Sequence, residues 1–317
     1  MNSTDADGAA IAADRRPRSV AVVGVGVIGR SWLRVFTRAG CETRAWDPNA
    51  EALSRALAWH DEELRRDNST ASTLRRCDSL EEALDDVEYA QESGPELLEQ
   101  KQRIYRELDR LAPREAILAS STSAMDMTDI ARDLTGAWRC VVAHPVNPPH
   151  VVPVVEVLGG QLTRPAVVAQ TAAFMRAVGQ KPVVLNRYVP GFLLNRLQVA
   201  LLREAISLVE RGVADASAID AVVQHGLGLR WALLGPFGVA NTNADGGVRE
   251  YLQRFAGSLE TLMRDLGGIP RLDSTLVERI GEQTDANTGA TPLAEIRRWR
   301  DRMVSDVVRL KRENPQP

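Results

Sequence analysis

The chain's 317 residues give room for about two domains of ordinary size. Hydrophobic residues at 44% and charged residues at 26% are the balance of a soluble globular protein, and a net charge of −3 supplies no general attraction to nucleic acid or to an anionic membrane. Aromatics at 5% are too few for a base-stacking platform, and no apolar run approaches the roughly 18 residues of a membrane-crossing helix.

Residues 1–16 lack an apolar core and read as a disordered tail rather than a signal peptide. Residues 19–23 form a β-branched strand that runs straight into Gly24-Val25-Gly26-Val27-Ile28-Gly29 and a helix over 30–39. Gly40 ends that helix, and a second strand over 42–46 closes on Asp47-Pro48. In this strand–turn–helix context Gly24 allows the tight turn, Gly26 lets backbone approach a pyrophosphate, and Gly29 permits close helix–strand packing. The helix N-terminus, at Val27 and Ile28, adds N–H groups and partial positive charge for phosphate. Asp47, 18 residues past Gly29, is placed to accept from ribose hydroxyls and to repel a 2′-phosphate, so the cofactor expected is NAD rather than NADP. Its bland alternative is a turn residue before Pro48.

A charged helix over 49–67, a polar turn at 68–73 and a short helix over 79–84 follow. Next come a strand near 88–91, a helix over 95–111 opening at Pro95, a strand over 116–120 and a helix from about Thr128. Two valine-rich strands, 139–143 and 151–158, flank His144, one of only four histidines, with Glu156 twelve positions later. A histidine at one strand end and a glutamate in the next can pair. The carboxylate fixes the imidazole tautomer and stabilises its protonated form, which suits a general base near neutral pH. A helix over 165–178 and a strand over 182–185 complete an α/β, Rossmann-like domain with a mostly parallel sheet, assigned to residues 17–189. Beyond Pro190-Gly191 only helices are expected, over 192–211, 215–225, 247–266 and 297–312, so residues 190–317 read as an all-α domain. Cys41, Cys77 and Cys140 are scattered thiols without metal-ligand spacing. They suit packing in a reducing cytoplasm, and no metal is expected.

The glycine loop, Gln91-Glu92-Ser93-Gly94-Pro95-Glu96, Ala119-Ser120-Ser121-Thr122-Ser123, His144-Pro145-Val146-Asn147-Pro148, Val155-Glu156-Val157 and Pro190-Gly191-Phe192-Leu193-Leu194-Asn195-Arg196 together resemble the 3-hydroxyacyl-CoA dehydrogenase family over nearly the whole chain. The resemblance implies an NAD-dependent dehydrogenase of a secondary alcohol. His144 matches the catalytic base and Glu156 its partner. Ser123 and Asn195 match the residues that hold the reacting oxygen, and Asn147 and Glu92 match residues lining the nicotinamide and substrate cleft. Alternatives stay open: a helix cap for Ser123, a solvated helix residue for Asn195, a structural carboxylate for Glu92.

Within that family, 43 residues separate Asp47 from Gln91, with Arg65, Arg66, Arg75 and Arg76 as the basic clusters. That is short for the basic hairpin that hydroxyacyl-CoA enzymes use, so a small free acid is expected as substrate. The wording around His144, Gly228-Leu229-Arg230-Trp231-Ala232 and Asn243-Ala244-Asp245-Gly246 resembles the λ-crystallin and L-gulonate 3-dehydrogenase branch. L-Gulonate is the leading substrate expectation, with Arg230 a candidate clamp for its carboxylate or else a surface arginine. L-Carnitine 3-dehydrogenase is similar too, and a trimethylammonium substrate would call on Trp231, Phe237 or Tyr251. Thr122, Ala124 and Asp126-Met127 depart from the family's commoner wording beside Ser123. A crystallin-like protein that binds NAD without catalysis is the non-enzymatic alternative. Apolar faces on the later helices point to a homodimer.

Overall fold

The computed structural model describes residues 17–66 and 73–316, the side chain of Asn287 excepted. The expected tail at 1–16 and most of the turn at 68–73 lie outside the described residues. The chain divides between Leu193 and Leu194 into two compact units.

The first unit is built on eight strands: β1 (Ser19–Val23), β2 (Glu42–Trp46), β3 (Leu74–Arg76), β4 (Tyr89–Glu92), β5 (Ile117–Ser120), β6 (Cys140–Pro145), β7 (Val154–Gly159) and β8 (Lys181–Val184). They form one sheet in the order β3-β2-β1-β4-β5-β6-β7-β8, and every neighbouring pair runs parallel except β6 with β7. The mostly parallel α/β sheet expected from the alternation is therefore present. Burial explains why β1 is apolar from Val20 to Val23. Val20 and Val22 point into one layer with Trp32 and Phe36, while Ala21 and Val23 point into the other with Leu84 and Tyr105.

Helices α1 (Val27–Arg38), α2 (Ala50–Arg66), α3 (Leu80–Leu84), α4 (Leu98–Leu111), α5 (Met127–Ile130) and α6 (Pro165–Ala177) cover the sheet. Three details differ from the sequence reading. Strand β3 has one apolar residue in three and gave no periodic signal. Helix α4 starts at Leu98 rather than Pro95, because Leu97 N–H turns back to the Pro95 carbonyl and Glu96 is spent on contacts outside the helix. Asp126, not Ser123, caps α5 by accepting from Thr128 N–H.

The second unit holds α7 (Leu194–Glu210), α8 (Ala216–Val222), a π-turn over Val223–Leu227, α9 (Gly228–Asn241), α10 (Gly247–Asp265), α11 (Ser274–Thr288) and α12 (Leu293–Glu313). Helix α7 begins two residues later than expected, since Phe192 takes a positive φ of 49° and ends the preceding turn. Helices α9 and α11 were not anticipated. Gly235, with φ 68°, and Pro236 kink α9 in mid-course and mask its pattern. Among the described residues no strand occurs in this unit, and no helix is long and apolar enough to cross a membrane.

Candidate active site

Antiparallel pairing of β6 with β7 sets His144 directly across from Glu156. Imidazole Nδ1 lies 2.8 Å from Glu156 Oε2, and both side chains are buried. The carboxylate's other oxygen, Oε1, accepts from Leu193 N–H at 2.8 Å, so Glu156 cannot swing away without losing two bonds. Phe192, fully buried, sets its ring 5.5 Å from the imidazole. A carboxylate can only accept, so the proton between the pair sits on Nδ1. That leaves the Nε2 lone pair as the basic position.

Ser123 lies just beyond β5. Its N–H donates to Glu96 Oε1 at 2.8 Å and its hydroxyl to the same oxygen at 3.3 Å, while Thr122 Oγ donates there at 2.6 Å. Glu96 is a residue that the sequence reading left out of the site. Burial works against its ionisation, yet the Thr122 hydrogen bond, the Lys101 charge and the Ser123 N–H outweigh that and hold its carboxyl below the usual range.

Glu92, expected to line the cleft, is turned inward with no exposure. Its oxygens take Lys101 Nζ at 2.9 and 3.0 Å, Ser120 Oγ at 2.6 Å and Gly94 N–H at 2.6 Å. Lys101, 1% exposed, also approaches Glu96 Oε2 at 3.4 Å. One buried ammonium thus ties the β4–α4 turn to the residues that carry Ser123.

The glycine loop has the shape that a dinucleotide phosphate requires. Gly24 holds φ 86°, a left-handed conformation that disfavours a side chain. A Cβ placed on Gly29 would collide with the Gly24 carbonyl oxygen, whereas one on Gly26 would meet nothing within 4 Å. That open cradle stands at the start of α1, where Gly26 provides no side-chain cap and the first turn holds no acidic residue, so the N–H groups are left for an anion. Val27 is exposed there and Ile28 half-buried. Asp47 Oδ2 accepts from Val25 N–H at 2.9 Å and Oδ1 from Asn49 N–H at 2.8 Å, which fixes its carboxylate beside the loop. Asn147 is exposed on the connection that follows His144.

The structure thus brings His144, Glu156 and Phe192 into one cluster and Ser123, Thr122, Glu96, Lys101 and Glu92 into another. Asn195 and Arg230 belong to the helical unit: Asn195 is the second residue of α7, and Arg230 is exposed on α9. Arg66, Arg75 and Arg76, from the basic clusters between Asp47 and Gln91, pair with Glu63, Glu82 and Asp78 on the surface.

A family model described as the NAD binding domain of 3-hydroxyacyl-CoA dehydrogenase matches residues 19–188, and one described as that enzyme's C-terminal domain matches residues 191–274. The lambda-crystallin homolog of Bos taurus is 36% identical over a match covering 95% of this chain and 98% of its own. L-Carnitine dehydrogenase of Streptomyces griseus is 39% identical, with 92% of this chain and 89% of that protein covered. Among solved structures, the NAD+-dependent dismutase 5-formyl-3-hydroxy-2-methylpyridine 4-carboxylic acid 5-dehydrogenase superposes with a TM-score of 0.79 at 29% identity, covering 92% of this chain and 98% of that one. With both family domains matched in order and the dinucleotide cradle intact, the chain belongs to the 3-hydroxyacyl-CoA dehydrogenase family and is an NAD-dependent oxidoreductase acting on a CH–OH group.

Proposed function

We propose that the chain oxidises the 3-hydroxyl of a small hydroxy acid of the L-gulonate type to the 3-keto acid, with His144 as general base. The observation that carries this reading is the buried 2.8 Å pair between His144 Nδ1 and Glu156, which leaves Nε2 basic. Bound NAD supplies the acceptor for the hydride. Gly26, Val27, Ile28 and Gly29 hold its phosphates by backbone N–H groups, Gly24, whose own N–H is spent on the Trp46 carbonyl, makes the tight turn that brings them there, and Asp47 takes the adenosine ribose hydroxyls. His144 Nε2 removes the hydroxyl proton, and Glu156 stabilises the imidazolium that results. Ser123 and Asn195 steady the reacting oxygen, while Asn147 lines the nicotinamide end. Glu96 holds Ser123 in place, and Glu92 acts behind it through Lys101. Arg230 clamps the substrate carboxylate.

A free acid rather than a thioester is favoured because Arg66, Arg75 and Arg76, between β2 and β4, are already paired with carboxylates on the surface. L-Carnitine is the second reading, favoured by the relative at 39% identity. Buried thiols, with Cys140 pushed up to about 12 by its surroundings, suit a cytoplasmic protein, and exposed apolar side chains on the helical unit suit a homodimer. The test is NADH formation from L-gulonate, L-carnitine and 3-hydroxybutyryl-CoA measured side by side. The highest kcat/KM is expected with L-gulonate; a higher value with the thioester or with carnitine overturns the substrate assignment.

A further inference from the structure

Ser121 sits in a hydrogen-bond chain that the reaction outlined above does not use. Its Oγ lies 3.1 Å from Trp32 Nε1, 2.8 Å from Gln91 Nε2 and 2.8 Å from Ser93 Oγ. Counting donors and acceptors fixes the direction of each bond. An indole N–H only donates. Gln91 lies between the Tyr89 phenol, 2.7 Å from its Oε1, and the Ala143 carbonyl, 3.4 Å from its Nε2. A carbonyl cannot donate, so the amide nitrogen is the atom facing Ala143 and Ser121, and the amide oxygen takes the Tyr89 proton. Ser121 therefore accepts two N–H bonds, which occupies both of its lone pairs. Its own hydrogen goes to Ser93 Oγ, and Ser93 keeps its O–H to give elsewhere.

Ser93 is half-buried at the end of β4, against the glycine turn. Its N–H bonds the Val23 carbonyl at 2.8 Å, and its carbonyl group stands 3.0 Å from where a Gly24 Cβ would be. Its own Cβ is 3.4 Å from the position of a Cβ on Gly29. A hydroxyl with one committed acceptor position and one spare proton is thus anchored beside the turn whose N–H groups take the pyrophosphate.

We propose that Ser93 is a cofactor-binding residue whose hydroxyl donates to an oxygen of the bound dinucleotide, in a direction preset by the Tyr89–Gln91–Ser121 chain. Presetting matters because a hydroxyl already ordered by buried partners loses little rotational freedom when the ligand arrives. The inference rests on NAD binding at the glycine loop. Its test is the Kd for NADH, read by fluorescence titration of the parent, Ser93→Ala and Ser93→Thr. Ser93→Ala is expected to raise Kd roughly 3- to 10-fold with Tm unchanged, the worth of one hydrogen bond, and Ser93→Thr to restore it. Parallel titration with ADP locates the acceptor: a loss shared by ADP puts it on a phosphate, and a loss confined to NADH puts it on the nicotinamide-side ribose. A Ser93→Ala protein that binds NADH within a factor of two of the parent overturns the inference. A parent that fails to bind NADH overturns dinucleotide binding itself, and the inference falls with it.

Discussion

At the scale of single residues, the pairing of His144 with Glu156 decides what the imidazole can do. Removing the ring removes the proposed base but leaves the glycine loop untouched. His144→Ala is therefore expected to lower kcat by about 10²–10⁴-fold while the Kd for NADH stays within a factor of two. Stopped-flow turnover and fluorescence titration on the same preparation check both halves, and an unchanged kcat would remove His144 from the chemistry. The pair was legible in the sequence because two valine-rich strands with a short connection put these residues opposite one another. Two glutamates in Gln91-Glu92-Ser93-Gly94-Pro95-Glu96 were harder to tell apart. Only the path of the chain after Gly94 decides that Glu92 faces inward and Glu96 reaches Ser123. A signal did exist: Lys101 shares the buried stripe of α4 with Tyr105 and Leu108, and a lysine there demands a carboxylate partner.

Among elements, the contact of α1 with α2 carries a titratable group that the reaction does not need. His60, fully buried on α2, sets Nε2 2.9 Å from Thr37 Oγ, whose own hydrogen goes to the Leu33 carbonyl at 2.8 Å. Nε2 must then be the N–H, and Nδ1 is bare, 4.0 Å from Asp61. Burial above all, and then the Arg34 charge, push the pKa of His60 below the ordinary 6.5, against a smaller opposing pull from Asp61. A folded value below the unfolded one gives stability that is complete above about pH 6.5 and lost as pH falls toward the folded value. Tm measured from pH 7.5 down to 5 is expected to fall faster for the parent than for His60→Gln, and parallel curves would dismiss the effect. Strands and helices with strong periodicity were readable in advance, β1, β2, α1 and α6 among them. Strand β3 was not, because its three residues are ordered by pairing with β2 rather than by their own pattern. Helix α9 was hidden by Gly235-Pro236, and α11 by a sparse apolar stripe.

For the whole molecule, the helical unit leaves Leu197, Leu233, Phe237, Leu262, Met263 and Trp299 more than half exposed. The proposed homodimer would cover this apolar surface in the simplest symmetric way. Sedimentation velocity at micromolar concentration is expected to give about twice the 34.7 kDa chain mass, and a monomer would count against that assembly. Sequence alone separated the α/β part from the helical part because strand candidates cease after residues 182–185. The geometry of the proposed dimer would depend on surface shape, which no linear pattern records. One consequence follows from the antiparallel ladder that carries the acid–base pair. A change in the length of the connection at 149–153, beyond Asn147, can be absorbed as a bulging hairpin, with the His144–Glu156 pairing kept. A single insertion inside β7 would instead turn Glu156 to the opposite side of the sheet and offer a valine to His144 in its place. Tolerance to indels here should therefore switch from high to nil within a few codons.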